Sequence, residues 1–257
     1  MTVYDVYNTS WELRASPRLT AILPVGALEA YGPHLPVDTQ TRLLDVIARR
    51  VAEELAGDVL LLPTLPFGQS EGVEGLPGTV ALSWRTLLSV IADLGDALRQ
   101  TGVHRLAVLV GLGGVGCTTV LPREQRIVKT AVRRLNYDHP DLDALWVQPL
   151  TVAEPSLDTW FATAADDVHG GEVVTSLMQH LYPDLVGPGA QDHVPPQSAA
   201  CLDVAPLRAV CPQGVWGYPS RADATKAPAA LQAIVAGTTR YIQDTMTEMA
   251  RLKRHPR

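Results

Sequence analysis

Apolar residues recur along this chain in two alternating patterns. Short runs of strand length stand at 19–25 (LTAILPV), 59–62, 106–110 (LAVLV) and 144–147. Between them lie longer stretches with apolar positions every three or four residues. The spacing predicts a helix over 41–55 with Leu44, Ile47, Ala48, Val51 and Leu55 on one face. A second helix is predicted from a Ser83 cap to Gln100, with Leu87, Leu88, Ile91, Leu94 and Leu98 inward. Further helices are predicted over 120–134, 172–181 and 230–252. The run at 106–110 is apolar throughout, as expected of a central parallel strand covered on both faces. This alternation predicts a layered α/β domain with a mostly parallel sheet. The Pro/Gly-rich stretch 183–196 reads as a surface excursion, with a lid or an interface arm as the alternatives.

Open parallel sheets bind ligands beyond the carboxyl ends of their strands, so the loops after the strongest strands are where chemistry is expected. Residues 26–40, GALEAYGPHLPVDTQ, gather Glu29, Tyr31, His34, Asp38 and Gln40, with Pro33 and Pro36 restraining the backbone. Such density of polar groups fits a site; a capped loop opening the next helix at Asp38 or Thr39 fits as well. Residues 111–117, GLGGVGC, are rich in glycine and lead to a helix, yet match neither GxGxxG nor a P-loop, which needs a Lys. Cys117 near that helix start is either an activated thiol or a small buried residue. In 166–176, DDVHGGEVVTS, His169 and Glu172 are three apart. If both are helical they share a face and suit acid–base chemistry. Alternatively Asp166 and Asp167 only favour the helix start, and His169 lies at its edge.

Composition narrows the partners. With 46% apolar and 19% charged residues in 257, the chain has the makings of a soluble globular core. A formal net charge of −6 argues against nucleic acid as a partner. No window is long and apolar enough for a membrane span, and the first residues lack a signal-peptide pattern, so a cytoplasmic location is expected. Three scattered cysteines, Cys117, Cys201 and Cys211, make neither a disulfide framework nor a zinc motif.

Five segments taken in order resemble the creatininase family. PVGALEAYGPHLPVDTQ (24–40) is similar to P-V-G-S-x-E-Q-H-G-P-H-L-P-x-x-T-D. FGQSEGVEGLPGTVAL (67–82) is similar to G-x-S-x-E-H-x-x-F-P-G-T. VGLGGVG (110–116) stands where the family has N-G-H-G-G-N. HGGEVVTSLM (169–178) and GVWGYPSRADATKA (214–227) resemble its two late motifs. The resemblance implies one three-layer α/β/α domain over residues 1–257, with a mostly parallel central sheet. It also implies a homo-oligomer, often a hexamer, and hydrolysis of C–N bonds in cyclic or linear amides with a pair of divalent metal ions. Creatinine hydrolysis, formamidopyrimidine deformylation and precursor-peptide cleavage are activities found in the family.

The departures from the pattern fall on its metal ligands. The family's Glu, His and Asp of the first loop stand here as Glu29, Tyr31 and Gln40. Its central His is Leu112, the His before F-P-G-T is Val73, and a late acidic position is Val174. Leucine and valine cannot ligate, and one carboxylate does not hold a dinuclear pair. No metal and no cofactor is therefore expected, and without a metal no hydroxide forms at neutral pH by the usual route. The expected function is metal-independent action on a small cyclic or amide-bearing molecule. Glu29, Tyr31, His169 and Glu172 are the catalytic candidates, and His34, Gln40, Leu112 and Cys117 line the ligand. Two other readings stay open: a non-catalytic homologue that binds a ligand or a partner subunit, and a metal-dependent amidohydrolase with ligands displaced to Glu29, His34, Asp38 and His169.

Overall fold

The computed structural model describes residues 2–14, 19–68, 70–111, 123–157 and 159–254. Five parallel strands form one sheet in the order β1-β3-β2-β4-β5: β1 Val3–Tyr4, β2 Thr20–Val25, β3 Val59–Leu61, β4 Arg105–Val110 and β5 Asp143–Val147. The sheet is parallel throughout, which accounts for strands that are apolar on both faces.

Side chains of alternate parity leave opposite faces of each strand. Ala21, Leu23 and Val25 of β2, with Leu106, Val108 and Val110 of β4, pack on α3 (Trp84–Gln100) and α4 (Arg123–Asp138). Ile22, Ala107 and Leu109 face the other way. They meet α2 (Thr39–Glu54), α5 (Pro149–Leu157), α6 (Glu172–Leu181) and α7 (Ala227–Arg254). The result is the expected three-layer α/β/α arrangement, with a short helix α1 (Ser10–Arg14) near the start of the chain. A third small core of Val73, Leu76, Val168, Leu207, Cys211 and Trp216 joins loop segments from different parts of the sequence.

Of two helix starts read from sequence, one is capped as expected and the other is not. Ser83 caps α3, its hydroxyl accepting from the Thr86 N–H at 3.3 Å. Asp38 opens α2, though without a side-chain cap; its carboxylate pairs instead with Arg42 one turn on, at 2.7 Å. The stretch around 183–196 is tied down at several points. Gly187 N–H donates to the His34 carbonyl at 2.8 Å, and His193 bridges Gly217. Asp192 accepts from both the backbone N–H and the hydroxyl of Ser220.

Topology fixes where a ligand belongs. The chain leaves β2 toward β3 on one side and leaves β4 toward β5 on the other, so the loops diverge between β2 and β4. In open parallel sheets such a divergence, at the carboxyl ends of the strands, is where ligands bind. The first residues beyond them are Gly26 and Gly111, and Gly111 N–H donates to the Val25 carbonyl at 3.0 Å.

Candidate active-site cleft between β2 and β4

The loop from Gly26 to Asp38 is held from several directions. The Thr41 hydroxyl of α2 bonds the Ala27 carbonyl at 2.8 Å, and a Cβ on Gly26 would meet that hydroxyl at 2.5 Å. Leu28 pairs with Val80, Glu29 N–H donates to the Val37 carbonyl, and Ala30 N–H donates to the Thr79 hydroxyl. Gly32 has φ +81° and lies so close to Val215 and the His34 ring that no side chain fits there. The loop therefore presents Glu29 and Tyr31 from a fixed backbone. Glu29 is only 4% exposed.

Tyr31 and His169 form one unit. Their rings stack with centroids 4.1 Å apart and planes 17° from parallel. His169 Nε2 lies 2.7 Å from the Ala30 carbonyl oxygen. A carbonyl only accepts, so Nε2 carries the proton and Nδ1 of the neutral ring is left as a base. The backbone of His169 is pinned in turn: its N–H and carbonyl both bond Trp216.

His169 and Glu172 have different partners in the fold. The condition for their meeting was a shared helical face, but α6 begins at Glu172, and Gly170 before it has φ +66°. Glu172 turns away, into the fold. Its carboxylate accepts from the Thr163 N–H at 3.1 Å and hydroxyl at 2.5 Å, and from Lys226 Nζ at 3.0 Å. The other reading of that segment describes Asp167 well. Buried Asp167 accepts from Gly171 N–H at 3.0 Å and Val173 N–H at 2.7 Å, at the start of α6. Burial pushes its pKa up to about 7, against the pull of those two hydrogen bonds. Asp166 is exposed in the preceding turn.

His34 is a buried residue of the scaffold. Nε2 lies 2.9 Å from the Thr175 hydroxyl of α6, and Nδ1 has no partner. Burial lowers its pKa to about 4. The folded state therefore resists protonation between about 4 and 6.5, while the unfolded chain takes up a proton there. Stability from neutral His34 is complete above 6.5 and is lost as pH falls toward 4. The stability difference between wild type and His34→Gln is expected to shrink by about 3 kcal/mol over that range, read by urea unfolding at stepped pH.

Gln40 sits in the first turn of α2, buried, with its amide against Gly111. A Cβ on Gly111 would fall 1.9 Å from Gln40 Nε2, so the glycine is there to admit the carboxamide. Gly111→Ala is expected to cost about 1–3 kcal/mol by overpacking, and adding Gln40→Ala should recover most of it. Thermal melts of the two variants check this; an additive loss would mean that the contact is not the cause. Leu112 and Cys117 lie outside the described residues.

The donor set does not suit the metal pair of the resembling family. Glu29 is the one carboxylate of the first loop's ligand positions, Tyr31 is stacked on His169, and Val73 has no donor atom. The displaced set does not assemble either, since His34 is bound to Thr175 and Asp38 to Arg42. Among the described residues no three His, Cys, Asp or Glu side chains gather as a metal site.

The family model described as "Creatininase: Creatinine amidohydrolase" matches residues 8–242, nearly the whole chain. The chain belongs to the creatininase family. A creatinine amidohydrolase of Pseudomonas putida is 32% identical over 199 residues, covering 72% of this chain and 73% of that protein. A mycofactocin precursor peptide peptidase of Mycolicibacterium smegmatis is 28% identical over 221 residues, covering 80% and 76%. Among solved structures, a creatinine amidohydrolase (creatininase) superimposes with TM-score 0.76 at 25% identity, covering 94% of this chain and 97% of that one. A manganese creatininase superimposes with TM-score 0.78 at 24% identity, covering 95% and 98%, which speaks for the fold alone. No helix among the described residues is long and apolar enough to cross a membrane.

The contacts that hold this creatininase-family cleft were mostly invisible to sequence reasoning. Lys226 lies 54 residues from Glu172 and Gly111 lies 71 from Gln40, with no local signal linking either pair. Asp167 carried one signal, an acidic residue just before a Gly-Gly helix start.

Proposed function

We propose that this creatininase-family protein acts on a small cyclic or amide-bearing molecule, such as a biosynthetic intermediate, by acid–base chemistry without the family's two-metal centre. We place it in the cytoplasm as a single-domain subunit of a homo-oligomer, with a hexamer as the family resemblance implies. The observation that carries the metal-independent reading is the Tyr31–His169 stack. The residue at the family's second ligand position is engaged with a histidine whose proton is fixed on Nε2 by the Ala30 carbonyl.

Amide hydrolysis needs a proton taken from the attacking water and a proton given to the leaving nitrogen. Glu29 is the candidate for the first task, being a carboxylate in a buried setting on a fixed loop. His169 is the candidate for the second, through Nδ1 in its protonated form. The Tyr31 hydroxyl supplies a donor for negative charge developing on the carbonyl oxygen. Glu172 takes no part in this chemistry, because Thr163 and Lys226 already occupy its carboxylate.

The test is turnover of a panel of cyclic and linear amides by metal-stripped protein. Glu29→Gln and His169→Ala are each expected to lower kcat/KM by roughly a hundredfold or more. Equal activity in both variants would remove the assignment. The second reading, a non-catalytic homologue, gains from the engagement of Glu172 and Tyr31 in contacts within the fold. Failure of wild type to turn over any of the panel, together with a stable complex with an active paralogue, would favour it.

A further inference from the structure

A cavity of about 260 Å³ is lined by Gln191, Asp192, His193, Pro212, Gln213 and Val215. None of the candidate catalytic side chains is among them. Val215 is its buried wall, and the same side chain packs on Gly32 at the turn of the first loop. The other five lining residues are exposed, so the cavity is open to solvent. Small-molecule pockets usually enclose roughly 300–1,000 Å³, so the guest that fits here is about the size of one side chain.

The walls are held in place before any guest arrives. Asp192 accepts from the Ser220 N–H at 2.9 Å and from the Ser220 hydroxyl at 2.5 Å. The backbone of His193 exchanges two hydrogen bonds with Gly217, at 3.0 and 2.8 Å. His193 Nε2 lies 2.8 Å from the Val210 carbonyl oxygen. A carbonyl only accepts, so Nε2 carries the proton and Nδ1 of the neutral ring is an acceptor. The turn with Pro212 and Gln213 is closed by the Gly214 N–H, which donates to the Cys211 carbonyl at 2.9 Å. Walls fixed in this way lose little freedom on binding.

The lining carries a carboxylate and no Lys or Arg, and Asp192 has no ion pair among the described residues. Two hydrogen bonds leave that carboxylate with lone pairs to spare. The carboxamide oxygens of Gln191 and Gln213 and the His193 ring add further acceptors. An anion is repelled by such a lining. An ammonium group offers three donors and no acceptor, and an alkyl stem suits Pro212 and Val215. We infer that this cavity is a binding site for a primary alkylammonium group, carried by a free amine or by a Lys side chain of a second copy. The site stands independently of the amide chemistry proposed for the cleft.

The probes are n-butylammonium, its neutral isostere n-butanol, and the anion butyrate. Their dissociation constants are measured by ligand-observed NMR with the full chain. Wild type is expected to prefer n-butylammonium over n-butanol by roughly tenfold, the scale of a hydrogen-bonded charge discounted for solvent exposure. Asp192→Asn removes the charge and keeps groups that can bond Ser220, and there the preference should fall toward unity. Gln213→Trp fills the cavity without touching Asp192 and should abolish saturable binding of n-butylammonium. Asp192 and Gln213 are both exposed, so both variants are expected to keep the wild-type melting temperature. Sedimentation of wild type and Asp192→Asn separates the two sources. An unchanged particle supports a free amine, and a smaller one supports a Lys side chain of a second copy. No saturable binding of n-butylammonium, equal affinity for n-butanol or butyrate, or a preference that survives in Asp192→Asn or Gln213→Trp overturns the inference.

Discussion

Lys226→Met is expected to lower the unfolding free energy by about 3 kcal/mol, the usual scale for stripping the partner from a buried charge. Glu172 is 1% exposed and would keep only the Thr163 N–H and hydroxyl as donors. Lys226 directly precedes α7, and Glu172 opens α6, so the ion pair ties the two helices together where each begins. Adding Glu172→Gln should restore much of the loss, because the neutral amide no longer needs a cation. Urea unfolding of wild type, the single variant and the double variant decides it. A loss below about 1 kcal/mol for Lys226→Met would show that the pair behaves as a surface ion pair.

Asp167 gives a second large effect, of opposite sign in pH to that of His34. Its folded pKa of about 7 lies above the ordinary 3.8, and burial is the cause. Between those values the unfolded chain releases its proton while the folded chain keeps it. Stability therefore falls as pH rises from about 4 to about 7, by about 4 kcal/mol in the difference between wild type and Asp167→Asn. His34 acts in the other direction between about 4 and 6.5, so in wild type the two contributions largely offset each other. Each slope is expected to emerge when the other residue is replaced. Asp167→Asn also puts an amide group against one of the N–H donors at the start of α6, a constant cost of about 1–3 kcal/mol at every pH. A pH-independent difference between wild type and Asp167→Asn would mean that the carboxyl titrates as if in water.

The sheet and its long helices were legible because their patterns are strong. The run at 106–110 became β4, Arg105–Val110, and the periodic stretch at 41–55 became α2, Thr39–Glu54. The final helix runs Ala227–Arg254, slightly longer at each end than the apolar spacing indicated. The helix expected over 120–134 continues to Asp138, because Leu135 still packs inward while the stretch beyond Arg134 looks polar. Among the described strands and α-helices, three escaped. β1 has only two residues, α1 has five and buries none of them, and α5 has a sequence, PLTVAEPSL, with two prolines and little helical periodicity.

The site was legible as a neighbourhood more than as a set of roles. The first loop and the His169 segment do meet, through Tyr31 and the Ala30 carbonyl. Spacing alone suggested that His169 would work with Glu172. A glycine at positive φ between them breaks the helix before it can align them. Spacing cannot reveal a partner 54 residues away, and that partner, Lys226, decides what Glu172 does.

The proposed chemistry runs in this creatininase-family cleft without a two-metal centre. Elemental analysis of metal per chain tests it most directly, on protein grown with added zinc, manganese and iron and then dialysed. A folded protein that retains no stoichiometric ion is expected. Two tightly held ions per chain would contradict it and would return Glu29 to the role of a metal ligand.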